Sequence, residues 1–156
     1  MNFPAEQPIF EVVSRTEWAG KDCPPLKPYA KHKPDGIVIH ESTAPTAKQF
    51  NGARTIQGIY RYHAVAPNKW GDVGYHYIVS PDGSKIYECR PADVIGAHCG
   101  GTPPAGVKRN FGNTGKIGIC LIGNYPTETP SPGALKTLCW LIADLCSKYG
   151  IKLDNV

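Results

Sequence analysis

The residues best equipped for chemistry in this chain of 156 residues are five histidines: His32, His40, His63, His76 and His98. His40 closes the apolar run Gly36–His40 and leads into the turn-like Glu41-Ser42-Thr43. A histidine at a strand end, aimed into a loop-lined cleft, is placed to bind a metal or to move protons. Position alone nevertheless favours a hydrogen-bonded core histidine over a ligand there. His63 falls on the apolar face of a helical segment and reads as packed and hydrogen-bonded. Tyr75 and His76 are neighbours on a strand, so they point to opposite faces, and only one can share a cleft with His40. His98-Cys99 is a pair of ligand-type residues, although adjacent residues seldom chelate one ion. His32 reads as a surface residue.

Other chemistries find less support. There is no HExxH, CxxC, Walker loop or GxSxG. Asp72, Glu88 and Asp93 would supply a carboxylate pair for glycoside hydrolysis, but such a pair can be drawn in most chains. Gly96 to Gly101 lacks the strand-then-helix setting of a phosphate loop. The formal net charge is +4, and the Lys and Arg are scattered. Without a basic stripe, nucleic acid is not an expected partner. A mild positive excess still favours an anionic partner, cell-wall polymers among them. No apolar run approaches the roughly 18 residues of a membrane span. The opening MNFPAEQPIF has neither the basic nor the apolar region of a signal peptide, which leaves the compartment open.

The elements that must position these residues can be read from hydrophobic period and turn chemistry. With 17 Gly and 15 Pro, the chain reads as a loop-rich globular domain. Residues 1–35 are Pro-rich and are expected to be an irregular segment packed on the domain formed by residues 36–156. Strands are expected at Gly36–His40, Gly74–Ser80, Lys85–Cys89, Val94–Ala97 and Lys116–Gly123. A helix is expected from about Thr46 to Val65, ended by Pro67. A second follows Ser131 as N-cap, with Pro132 at its first position and Gly150 at its end. Together these predict a single α/β domain with a mixed central sheet flanked by helices. The loop from His98 to Gly115 is long for a compact domain and carries His, Cys and Asn, which favours a functional loop. Among the six cysteines, Cys139 and Cys146 lie about 10 Å apart along a helix, beyond disulfide reach. Cys120 reads as a small buried hydrophobe. Cys23, Cys89 and Cys99 are left either paired or free.

Five stretches occur in a telling order: VVSRTEW at 12–18, IVIHESTA at 37–44, GDVGYHYIVSPDGSKIYECR at 71–90, GAH at 96–98 and NTGKIGICLIGNY at 113–125. Their succession resembles the zinc-dependent N-acetylmuramoyl-L-alanine amidases, the family that includes the peptidoglycan recognition proteins and phage lysozyme-type amidases. The resemblance implies a groove for a muramyl peptide of peptidoglycan. It implies cleavage of the amide between N-acetylmuramic acid and L-alanine. By the same resemblance His40 matches a zinc ligand and Tyr75 a tyrosine that assists catalysis. His63, Arg90, His98 and Asn113 match positions that line or support the substrate groove.

The sequence departs from that pattern in two places. The family's second and third zinc ligands follow the long C-terminal helix and the next strand. Here Ile151–Val156 reads as the start of that strand, with no later His, Cys or Asp, so the domain is expected to be C-terminally truncated and its zinc site incomplete. His40 alone is then expected to hold zinc weakly or not at all. Pro91-Ala92 stand where recognition proteins carry a pair that sorts peptidoglycan types, so the stem-peptide preference is open. The leading expectation is an amidase domain, catalytic in its complete form; the alternative is a peptidoglycan-binding module that does not cut. A third is an interaction domain that has borrowed the fold, since fold does not fix function. Oligomeric state is not legible.

Overall fold

A computed structural model describes residues 9–100 and 112–156. Most of the loop expected from His98 to Gly115 therefore lies outside the described residues, as does the opening octapeptide. The sheet has five strands: β1 (Glu11–Val13), β2 (Gly36–Glu41), β3 (Tyr77–Val79), β4 (Lys85–Glu88) and β5 (Lys116–Leu121). Their order is β1-β4-β3-β5-β2. Only β3 and β4 pair antiparallel, and the other three pairings are parallel, so the sheet is mixed as expected. The turn Pro81-Asp82-Gly83 closes the antiparallel hairpin. There Asp82 accepts from the Ser84 N–H, and Gly83 adopts a φ of 77°.

Strand β5 carries the register of the fold. It pairs with β2 on one side (His40 opposite Cys120) and with β3 on the other (Tyr77 opposite Ile119). Its residues alternate between two apolar layers. Ile117, Ile119 and Leu121 join Ile37, Val79 and Ile86 beneath α3 (Pro132–Tyr149), which contributes Ala134, Leu138, Leu141 and Leu145. On the opposite face, Cys120 and Ile122 join Ile78, Tyr87 and Val13 beneath α1 (Arg15–Ala19) and α2 (Gly52–Tyr60). Helix α3 begins as its sequence predicts. The Ser131 Oγ accepts from the Ala134 N–H at 3.0 Å, Pro132 occupies the first turn, and Gly150 ends the helix in the left-handed region.

Several boundaries differ from expectation. The segment expected to be irregular holds β1 and α1. Ser14 and Glu17 form a capping box there, and the Trp18 indole donates to the Glu88 carbonyl at 2.6 Å. Arg15 pairs with buried Asp72 at 2.7 Å and donates to the Cys23 and Cys89 carbonyls, which locks this segment onto the sheet. The single helix expected over 46–65 breaks into a 3-10 turn (Ala47–Gln49), α2 and a π turn (Arg61–Val65). Val94–Ala97 is not a strand, only a single bridge from Val94 to Lys31. Beyond Ile151, residues Leu153–Asn155 form a 3-10 turn where the start of a strand was expected. All six cysteines are free thiols.

Candidate functional site

Helix α2 is only nine residues long. It runs on without a break into the π turn Arg61–Val65, and a group of rings packs beside that turn. His40 projects from β2, the edge strand. Its ring lies 5.0 Å from that of His98 and 5.5 Å from that of Tyr75, centroid to centroid. The Tyr75 ring lies 5.5 Å from His63, on the π turn that extends α2. Of the neighbours Tyr75 and His76, Tyr75 is therefore the one beside His40. His76 is fully buried; its Nδ1 accepts from the Gly118 N–H at 2.8 Å and its Nε2–H donates to the Val94 carbonyl. His32, expected at the surface, is half-buried and its Nδ1 accepts from the Gly115 N–H at 2.7 Å.

The His98-Cys99 pair sits tightly against His40. His40 Nε2 and His98 Nδ1 are 2.9 Å apart, Cys99 Sγ is 3.4 Å from His98 Nδ1, and it is 4.0 Å from His40 Nε2. Asn113 holds the pair in place. Its Oδ1 accepts from the backbone N–H groups of His98 (2.8 Å) and Cys99 (2.9 Å), and its Nδ2 donates to the Cys99 carbonyl at 2.9 Å. Asn113 thus positions other groups instead of presenting its own amide to a groove. Room for the pair comes from glycine. A Cβ on Gly118 would fall on the His98 ring, one on Gly96 would stand 2.5 Å from His98 Cδ2, and one on Gly112 would stand 2.6 Å from Cys99 Cβ.

Burial sets the protonation of this cluster. It lowers the pKa of His40, and it takes His98 to about 3 with help from neighbouring His76 and His40. His63 falls to about 4 through burial and the nearby Arg90 charge. These rings are neutral at pH 7, the form that binds metals. Burial raises the Cys99 thiol and, with Cys120 beside it, raises the Tyr75 phenol. Tyr75 therefore remains a hydrogen-bond donor across the physiological range.

Family resemblance implies zinc, and the donor set can be tested against that ion. Two imidazole nitrogens and one cysteine sulfur, all within 4.8 Å of one another, are ligands that zinc prefers. The residues fit. From sequence His40 stood without a partner ligand inside the chain; in the structure His98 and Cys99 lie against it.

Arg90 belongs to a different part of the site. Its guanidinium lies 3.9 Å above the Tyr29 ring, and it donates to the Val73 and Ile95 carbonyls at 3.0 and 2.7 Å. Its remaining Nη2 is buried without a partner among the described residues. It borders a cavity of about 650 Å³ shared with Tyr29, Trp70, Cys99 and Asn113. His40 and Tyr75 do not line that cavity, which adjoins the ring cluster and meets it at Cys99. Tyr29, Trp70 and the three cradle glycines were not singled out from sequence. Gly118 carried a usable signal, since a glycine inside a strong apolar strand marks a close approach.

The profile of the N-acetylmuramoyl-L-alanine amidase family matches residues 30–156. Peptidoglycan-recognition protein SC2 of Drosophila melanogaster is 26% identical over 137 residues, 88% of this chain and 68% of that one. Peptidoglycan recognition protein 1 of Bos taurus is 30% identical over 142 residues, 89% of this chain and 67% of that one. Among solved structures, wild-type Drosophila PGRP-LB superposes with a TM-score of 0.71 at 28% identity, covering 92% of this chain and 78% of that one. A PGRP-LB mutant in complex with tracheal cytotoxin superposes with a TM-score of 0.68 at 29% identity, covering 91% of this chain and 78% of that one.

Proposed function

The chain belongs to the N-acetylmuramoyl-L-alanine amidase family, and on that premise we propose that it binds muramyl peptides and acts on the amide between N-acetylmuramic acid and L-alanine. The observation that carries this reading is the packing of Tyr75 against His40, ring centroids 5.5 Å apart. Amide hydrolysis builds negative charge on the carbonyl oxygen, and a fixed donor beside that oxygen lowers the barrier. The Tyr75 hydroxyl, kept protonated by its burial, is that donor. His63 backs the Tyr75 ring and is itself fixed, its Nδ1 accepting from the Gly74 N–H at 3.1 Å. His40 is the residue that the resemblance makes a zinc ligand. A zinc ion, when bound, polarises the carbonyl and lowers the pKa of a coordinated water.

The cavity beside Arg90 suits the rest of such a ligand. Tyr29 and Trp70 offer ring faces to a sugar, and the Arg90 guanidinium offers charge to a carboxylate. The likeness to a protein solved with tracheal cytotoxin supports a ligand of this type. A second reading, recognition without cleavage, draws on the relatives named above, which are described as recognition proteins.

Calorimetric titration with a soluble muramyl tripeptide, run beside an assay for released peptide, tests the proposal. Binding with release is the expected result for the amidase. Binding without release leaves the recognition module. A folded chain that does not bind overturns both. Where release is seen, Tyr75→Phe is expected to slow it about 10²-fold or more without loss of binding, as removal of an oxyanion donor does.

A further inference from the structure

We propose that His40 Nε2, His98 Nδ1 and Cys99 Sγ form a three-ligand transition-metal site complete within this chain, with a fourth position left for an exogenous ligand. It goes beyond the muramyl-peptide reading and does not depend on it. The resemblance supplies His40 alone from this trio and places its partners after the C-terminal helix; the structure supplies two others from a different loop.

The geometry is the first argument. A tetrahedral zinc ion with Zn–N of about 2.05 Å and Zn–S of about 2.3 Å needs its ligand atoms about 3.3 Å apart for two nitrogens and about 3.6 Å apart for nitrogen and sulfur. The separations here are 2.9 Å between the nitrogens, and 3.4 and 4.0 Å from each nitrogen to the sulfur. Each differs from the requirement by about half an ångström or less, so an ion enters by small side-chain shifts and no loop must be rebuilt.

Orientation is the second. His98 Nε2–H points to the Lys116 carbonyl at 3.3 Å, which leaves the Nδ1 lone pair facing His40 and Cys99. The Asn113 clamp on both ligand backbones fixes the bend that lets consecutive residues turn toward one point. That bend answers the objection that adjacent residues seldom chelate one ion. Gly112 and Gly118 clear space for Cys99 and His98 in turn, and Gly96 clears space for His98 together with His76.

The donor set names the class of ion. Two imidazoles and a thiolate suit Zn²⁺ or Co²⁺ and do not suit Mg²⁺ or Ca²⁺, which take oxygen. On binding, the metal replaces the His40–His98 hydrogen bond, the His40 ring proton moves from Nε2 to Nδ1, and the Cys99 thiol proton passes to solvent.

Co²⁺ is the probe. The full chain, stripped of metal and kept reduced, is titrated with Co²⁺ in the absence of muramyl peptide, so failure here is separable from failure to bind muramyl peptide. The expected result is one equivalent bound, with a near-ultraviolet sulfur-to-cobalt band and intense visible bands of a tetrahedral ion, all displaced by Zn²⁺. Cys99→Ser should abolish the sulfur band, and His98→Ala should weaken binding at least tenfold. Cys139→Ser, which removes an exposed thiol on α3, should change neither. In the unmodified chain, Zn²⁺ should slow alkylation of Cys99, mapped by mass spectrometry, and leave Cys139 as reactive as before. That readout needs no variant to fold. A folded chain that takes up no Co²⁺ overturns the proposal, as does a sulfur band that survives Cys99→Ser or Zn²⁺ that fails to protect Cys99.

Discussion

The two faces of the sheet are built from the same strands to opposite ends. Under α3, an 18-residue helix seals Ile37, Ile117, Ile119 and Leu121 beneath a continuous apolar layer. On the other face α2 passes after nine residues into the π turn Arg61–Val65. Here stand the rings of His40, Tyr75, His63 and His98. Strand β5 shows the division within one run of residues. Its α3-side residues are Ile, Ile and Leu, while its other side has Gly118, over which the His98 ring lies. Polar rings thus stand on this face where the α3 face has aliphatic side chains, and the candidate chemistry collects among them.

Breaking the sealed face should cost the most stability and leave the open face working. Leu145, 1% exposed, is expected to lose about 2–5 kcal/mol on substitution by Ala. Urea denaturation measures that loss, and Co²⁺ uptake by the folded fraction should be unchanged. Loss of metal uptake in step with stability would show that the faces are not independent.

Acid should act through the buried histidines. His63 and His76 are both held near pKa 4, mainly by burial, below the unfolded value of about 6.5. The unfolded chain therefore takes up protons first. Stability is fully present above about pH 6.5 and is lost as pH falls toward 4. For the two rings together the loss between pH 7 and pH 5.5 is about 2 kcal/mol, read from urea midpoints of the metal-free chain. A midpoint that does not move over that range would contradict the burial assigned to these rings.

The next effects are smaller and local. Asn113→Ala removes the three hydrogen bonds that clamp His98 and Cys99, and is expected to cost about 1–3 kcal/mol. It should also weaken Co²⁺ binding, which a change under α3 would not do. Ser131→Ala removes the cap of α3 and is expected to cost about 1 kcal/mol, with metal and ligand binding untouched.

The sealed face was the more legible in sequence. The period of Leu138, Leu141 and Leu145 and the Ser131-Pro132 start gave α3 to within a residue, because apolar period and cap chemistry are local signals. Strands β2 and β5 were plain for the same reason, each being a short apolar run. The Pro-rich opening hid β1 and α1, whose order comes from distant partners such as Asp72 and Glu88. The candidate site was legible by residue type and not by arrangement. His40 and Tyr75 are ring neighbours, 5.5 Å apart. Arg90 and Asn113 stand near them but spend most of their hydrogen bonds on backbone, which no spacing reveals. Cys99 was set aside because neighbours in sequence seldom share an ion. Only the fold shows the Asn113 clamp and the glycines that bring Cys99 into line with His98 and His40.

The most direct test of the difference between the faces is amide chemical-shift mapping of the labelled full chain as muramyl tripeptide is added. Shifts are predicted for Gly74, Tyr75, His98, Cys99, Asn113 and Gly118, with Leu138, Leu141 and Leu145 unmoved. Shifts confined to the α3 face, or none at a concentration that saturates the calorimetric titration, would contradict the account.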